Sequence, residues 1–336
     1  MIKQRFFSKT KAVLCLLCLF GMATQTLSAQ NDVTVPETDS KQQKEMTALL
    51  PPVLRGRIPT PDVTFHLWTN KKTESNGITK PLTYIPSKDG VVRLKNIADA
   101  AIYVYTPKET TKTQCCVLIC PGGGYAIEAI DNGGTKYAQF LTAHGITAAV
   151  LQYRLPHHHK NVPLADALEA MRILRGHAAQ LGIDTHKIGV CGFSAGGHLA
   201  STLGTQYRKG GEGCRPDFML LIYPVISSDP TITHAGTFNN LLPRDATESD
   251  RRAFSSELHV DAQTPPAFLL LGNDDTSVNP QNSIRFYEAL VKNNVRAGLH
   301  IFSKGGHGFG MTKTGLNLDR WPEMTVEWLR ENDFIK

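Results

Sequence analysis

The pentapeptide Gly192-Phe193-Ser194-Ala195-Gly196 holds the residue best placed for covalent chemistry. The apolar run Lys187-Ile188-Gly189-Val190-Cys191 leads into it, and the helix-forming Gly197-His198-Leu199-Ala200-Ser201 leads out. A serine hydroxyl attacks an acyl carbon only when a sharp strand-to-helix turn lifts it clear of the chain, and the flanking glycines let the backbone fold that tightly. The helix that follows aims its first N–H groups at the reaction centre. This spacing arises by chance in many proteins, but a buried strand before it and a helix start after it make it specific.

Acyl transfer needs three further parts, and the chain offers each. Negative charge builds on the carbonyl oxygen and must meet backbone N–H donors in a dry site, each worth roughly 3–4 kcal/mol. The apolar Cys115 to Cys120 runs into Pro121-Gly122-Gly123-Gly124-Tyr125, which assigns one donor to Gly123 or Gly124 and the other to Ala195. A general base follows the strand-like Ala297 to Phe302, where His307 sits on the glycine-flanked Gly305-Gly306-His307-Gly308. The carboxylate that must hold the imidazole tautomer follows another buried run, Pro265 to Gly272, where Asp274 and Asp275 compete. Tyr125 either lines the substrate pocket or packs against the glycine loop.

From about Asn96 to about Leu329 the chain resembles the acetylxylan-esterase-like α/β hydrolases, secreted bacterial enzymes whose members often carry the label xylanase. The glycine loop, the serine turn, the order Ser194, Asp275, His307, the segment Ile146 to Pro156 and the stretch Asp166 to Arg172 carry the likeness. The resemblance implies an α/β-hydrolase fold and a serine esterase that removes acetyl groups from plant polysaccharide or oligosaccharide without cofactor or metal. Its D-x-x-V spacing favours Asp275 over Asp274 as the acid. One departure is Leu271-Gly272, where the family often has a histidine, and this bears on the shape of the acyl or sugar pocket. Feruloyl or other carboxylester hydrolysis and an inactive binding module are the alternatives. A glycosidase would need two positioned carboxyl groups, whereas these residues assemble a serine nucleophile.

The elements that must position these residues follow from apolar runs alternating with helical segments. Strands are expected around Thr64–Trp68, Ala101–Thr106, Cys115–Cys120, Ala148–Tyr153, Lys187–Cys191, Phe218–Val225, Ala267–Gly272 and Gly298–Phe302. Helices are expected over Thr135–Ala143, Leu164–Gln180, Gly197–Gln206, Gln281–Asn293 and Trp321–Asn332. Such alternation demands a mostly parallel sheet covered on both faces. Residues 226–260 break the rhythm, either as a small cap over the site or as an ordinary surface excursion.

Residues 1–29 read as a secretory signal: Lys3, Arg5, Lys9 and Lys11 precede the apolar Ala12 to Met22, and Ala29 stands at the cleavage position. Export to the periplasm or the exterior follows as the expectation, with no integral membrane span because that core is short. Residues 30–60 read as a flexible tether and 61–336 as the catalytic domain. Without the leader's four positive charges the net charge of +6 falls to +2, and no basic stripe suggests a nucleic-acid partner. Five cysteines follow the leader, four of them within or beside buried runs, which fits small apolar residues better than a disulfide framework. His157-His158-His159 reads as a solvated loop, since consecutive residues diverge and no partners are spaced to complete a metal shell. His198 reads as a packed histidine, and Arg154 with Asp166 as a buried pair.

Overall fold

The computed structural model describes residues 50–69 and 71–336, so the leader and most of the tether lie outside the described residues. Among the described residues eleven strands appear in chain order. They are β1 (Val63–His66), β2 (Thr83–Ile85), β3 (Arg93–Lys95), β4 (Ala101–Tyr105), β5 (Cys116–Cys120), β6 (Glu128–Ala129), β7 (Thr147–Gln152), β8 (Ile188–Phe193), β9 (Met219–Ile222), β10 (Ala267–Gly272) and β11 (Ala297–Phe302). Eight of them form one sheet in the order β1-β4-β7-β5-β8-β9-β10-β11. The pairings β1–β4 and β4–β7 are antiparallel, and every pairing from β7 to β11 is parallel.

The parallel strands are apolar runs because both of their faces are covered. Every residue of β5, β7, β8, β9 and β10 is buried. The edge strand β11 is half-buried throughout apart from the exposed Ile301. The helices among the described residues are α1 (Lys136–Ala143), α2 (Val162–Gly176), α3 (Ala178–Leu181), α4 (Ala195–Gln206), α5 (Ala235–Leu241), α6 (Glu248–Ala253), α7 (Gln281–Lys292) and α8 (Trp321–Glu331). The eight expected strands are those of this sheet, and the single helix expected over 164–180 is broken at His177 into α2 and α3.

Two expectations need correction. Residues 50–60 are not tether: Leu50, Leu54 and Ile58 are buried in the core, Pro52–Leu54 forms a short 3-10 turn, and Tyr105 Oη donates to the Pro59 carbonyl. Prolines there shape a packed segment, which the polar composition around it conceals. The second concerns β2, β3 and β6, a separate three-stranded antiparallel sheet absent from the sequence reading. Its strands are two or three residues long and mostly half-buried, so no apolar run announces them.

Arg154 and Asp166 do pair, with Nη2 2.6 Å from Oδ1, and the Trp68 indole N–H donates to the same carboxylate at 2.6 Å. Residues 226–260 fold as α5, α6 and a 3-10 turn at Ser256–His259. Thr247 caps α6 reciprocally with Asp250, and the His234 side chain caps α5.

Candidate active site

Ser194 sits between the carboxyl end of β8 and the first residue of α4, with φ 54° and ψ −118°. That backbone conformation costs a non-glycine residue about 1–3 kcal/mol and survives only where its surroundings enforce it. Here the Ser194 N–H donates to the Ile222 carbonyl at 3.1 Å, and the Ser194 carbonyl accepts from the N–H groups of His198 and Val225. Gly196 is required by close approach, because a Cβ there would stand 2.0 Å from the Cys120 carbonyl oxygen and 2.4 Å from that of Pro121. The turn is therefore seated directly on the strand that feeds the glycine loop.

His307 and Asp275 come from the carboxyl ends of β11 and β10, the third and second strands beyond β8, and His307 bridges the gap to Ser194. His307, on the loop after β11, brings Nε2 to 2.8 Å from the Ser194 Oγ. Its Nδ1 lies 2.7 Å from Asp275 Oδ2, so a proton on Nδ1 is held by the carboxylate and Nε2 is left to accept from the serine. Asp275 follows β10 and is almost completely buried; its Oδ1 accepts from the Ser277 and Val278 N–H groups, both at 2.9 Å. Three donors thus fix one carboxylate. Asp274 points elsewhere: its Oδ1 accepts from the Gly306 N–H at 2.7 Å and ties down the loop that carries His307.

The glycine loop lies against this turn. Gly123 has φ +141°, and a Cβ there would strike the Ile127 carbonyl oxygen at 2.1 Å, so only glycine fits. The Gly123 carbonyl accepts from the N–H groups of Ala126 and Ile127, while the Gly124 carbonyl accepts from the Asn240 side chain at 2.8 Å. Among the described residues no acceptor takes the N–H of Gly123, Gly124 or Ala195.

Tyr125 is packed beside the glycine loop, where it also borders a cavity. Its side chain is 2% exposed, and its hydroxyl lies 3.0 Å from His198 Nδ1. His198 Nε2 donates to the Phe254 carbonyl at 2.7 Å, so Nδ1 accepts from the tyrosine. Burial pushes the His198 imidazole down to about 4, and it stays neutral as the link between glycine loop and cap segment.

Two residues escaped the sequence reading. Tyr223, just after β9, sets its ring edge-on to His307 with centroids 4.8 Å apart, and its hydroxyl accepts from the Gly310 N–H. It lies inside the expected strand Phe218–Val225, where nothing in the sequence sets it apart. His234 stands beside the glycine loop, its Cε1 3.9 Å from where a Gly124 Cβ would be. Burial and the neighbouring His307 both lower its pKa. Among the described residues no group of three or more histidine, cysteine, aspartate or glutamate side chains is arranged to hold a metal ion. No described helix is long and apolar enough to cross a membrane.

Comparison with known proteins agrees with this architecture. A family model described as the alpha/beta hydrolase fold matches residues 117–311, and the chain belongs to that family. The acetylxylan esterase of Xylanibacter ruminicola is 34% identical over 194 residues, which are 56% of this chain and 40% of that protein. Endo-1,4-beta-xylanase B of Butyrivibrio fibrisolvens is 31% identical over 221 residues, 62% of this chain and 34% of that protein. The chain thus spans less than half the length of either relative. Among solved structures, the acetyl ester-xyloside bifunctional hydrolase from Caldicellulosiruptor lactoaceticus superposes with a TM-score of 0.69 at 34% identity, covering 84% of this chain and 100% of that one.

Proposed function

We propose that this protein is an exported serine carboxylesterase that removes acetyl groups from plant polysaccharides or oligosaccharides. The observation that carries the reading is the unbroken contact from Asp275 through His307 to Ser194, at 2.7 and 2.8 Å. His307 takes the hydroxyl proton as Ser194 Oγ attacks the acetyl carbonyl carbon, and the oxyanion is met by the N–H of Ala195 and that of Gly123 or Gly124. The C–O bond to the sugar then breaks, His307 returns the proton to the departing hydroxyl, and an acetyl-enzyme remains. Water, deprotonated by the same histidine, attacks that ester and releases acetate with Ser194 restored. Asp275 holds the imidazole in the productive tautomer and stabilises the imidazolium.

The acetyl preference is supported by the name of the Xylanibacter relative and by that of the Caldicellulosiruptor structure. Export is supported by the charged and apolar leader of residues 1–29. The test compares acetylated xylan with the same xylan after chemical deacetylation, measuring free acetate and new reducing ends in parallel. Acetate from the first and no reducing ends from either is the expected result. Reducing ends that survive Ser194→Ala would overturn it in favour of sugar-bond cleavage elsewhere on the chain.

A further inference from the structure

Two residues of the triple-histidine segment, His157 and His158, which the esterase chemistry leaves unused, line a cavity of about 510 Å³ beside the glycine loop. Lys80, Lys95, Asn96, His157, His158 and Asn240 supply its polar wall, and no aspartate or glutamate lines it. Lys80, Lys95 and His157 are exposed into solvent and His158 is half-buried. Among the described residues neither lysine takes part in an ion pair. Two ammonium groups with no lining carboxylate therefore give the cavity one sign of charge, and low-dielectric walls focus such a field.

The cavity is built onto the candidate site. Tyr125 and Ala126, immediately after the glycines, form part of its wall. Asn240 joins them by donating to the Gly124 carbonyl, and the His158 N–H donates to the Asn240 carbonyl at 3.0 Å. His158 Nδ1 bonds the Leu242 carbonyl at 2.9 Å, so the histidine segment is anchored to the cap and not simply solvated. Four lining residues that are not glycine hold a left-handed backbone: Asn96 (φ 58°), Tyr125 (φ 59°), His157 (φ 43°) and His158 (φ 73°). Strain of this kind persists only where surrounding contacts enforce it. Ile78 and Leu155 add apolar surface, which suits the C–H faces of a sugar ring, and the volume lies within the usual range for small-molecule sites.

We propose that this cavity is a subsite for a carboxylate-bearing sugar, a uronate attached to the acetylated carbohydrate, held by Lys80 and Lys95 with His157 and His158 against its ring. The inference rests on the esterase reading for its substrate class, although binding itself does not depend on catalysis. Calorimetry on the intact protein compares a glucuronate-bearing xylo-oligosaccharide without acetyl groups, a neutral one of equal backbone length, and inorganic phosphate. The acidic oligosaccharide should bind at least about tenfold tighter than the neutral one, and the preference should fall below about threefold at roughly 0.5 M NaCl or in Lys80→Ala/Lys95→Ala.

Acetate release from acetylated forms of the two oligosaccharides should show the same preference in KM with kcat unchanged. Hydrolysis of p-nitrophenyl acetate should be the same in the double variant as in the wild type. Equal binding of the acidic and neutral sugars, equal weakening of both by the variant, or phosphate competing as well as the acidic sugar would each overturn the subsite. Selective binding with no acetate from any substrate would refute the esterase reading and leave the subsite standing. Acetate release without selectivity would do the reverse.

Discussion

Replacing Asp275 by asparagine tests the proposed relay at the point where the structure makes a quantitative demand. The carboxylate has one oxygen on the Ser277 and Val278 N–H groups and the other on His307 Nδ1. An amide can serve the turn only with its oxygen, which directs its NH2 group at the imidazole. Turning the amide over would leave the buried Val278 N–H unpaired, at about 1–3 kcal/mol, and the part-buried Ser277 N–H unpaired, at about 1 kcal/mol. That total of about 2–4 kcal/mol biases the pair by roughly 30-fold to 10³-fold toward a histidine whose proton sits on Nε2, where it cannot accept from Ser194. Loss of the charge that stabilises the imidazolium adds to this, so kcat should fall by about 10³- to 10⁴-fold with the fold intact.

Asp274→Asn is the control, because an amide oxygen can still accept from the Gly306 N–H, and its kcat should fall by no more than about threefold. Initial rates with p-nitrophenyl acetate, alongside circular dichroism, measure both. The reasoning is refuted if Asp275→Asn keeps a tenth of wild-type kcat or if Asp274→Asn loses as much.

Ser194→Ala and His307→Ala should each lower kcat by about 10⁴-fold or more, with the double variant losing little further, because members of one relay are not additive; losses that multiply would count against it. Gly196→Ala should fail to give soluble enzyme, since its Cβ would meet two backbone oxygens that cannot yield. Gly176→Ala, with nothing within 4 Å of the added carbon, should be neutral or gain up to about 1 kcal/mol. Comparable melting temperatures for the two would refute the seating of the turn on the loop. The His198 pKa, about 4 against the usual 6.5, means that the unfolded chain takes up a proton below about 6.5 while the folded protein does not. Its contribution to stability is therefore complete above that pH and drains away between about 6.5 and 4. In His198→Gln, whose amide can still meet Phe254 and Tyr125, melting temperature should fall less steeply over that window; identical slopes would place the acid sensitivity elsewhere.

The main sheet was legible because its strands are buried on both faces and so read as unbroken apolar runs, from Cys116–Cys120 to Ala267–Gly272. The site was legible for a related reason. Its residues follow the carboxyl ends of those strands, and glycines mark the places where backbone must approach backbone, as at Gly123 and Gly196. What stayed hidden lacks periodicity. The short sheet of β2, β3 and β6 is too brief to alternate, and α5 and α6 owe their ends to caps at His234 and Thr247. Residues 50–60 read as polar and proline-rich, yet Leu50, Leu54 and Ile58 are packed inside. Tyr223 and His234 come to the site through tertiary contacts alone, and no local spacing could announce them.

The central claim is that Ser194 is the acylated nucleophile, and mass spectrometry after treatment with a fluorophosphonate ester tests it most directly. One covalent adduct per chain is expected, located to the peptide containing Ser194, forming in step with the loss of esterase activity and absent from Ser194→Ala. An adduct on another residue, or full activity in protein whose Ser194 is quantitatively modified, would contradict it.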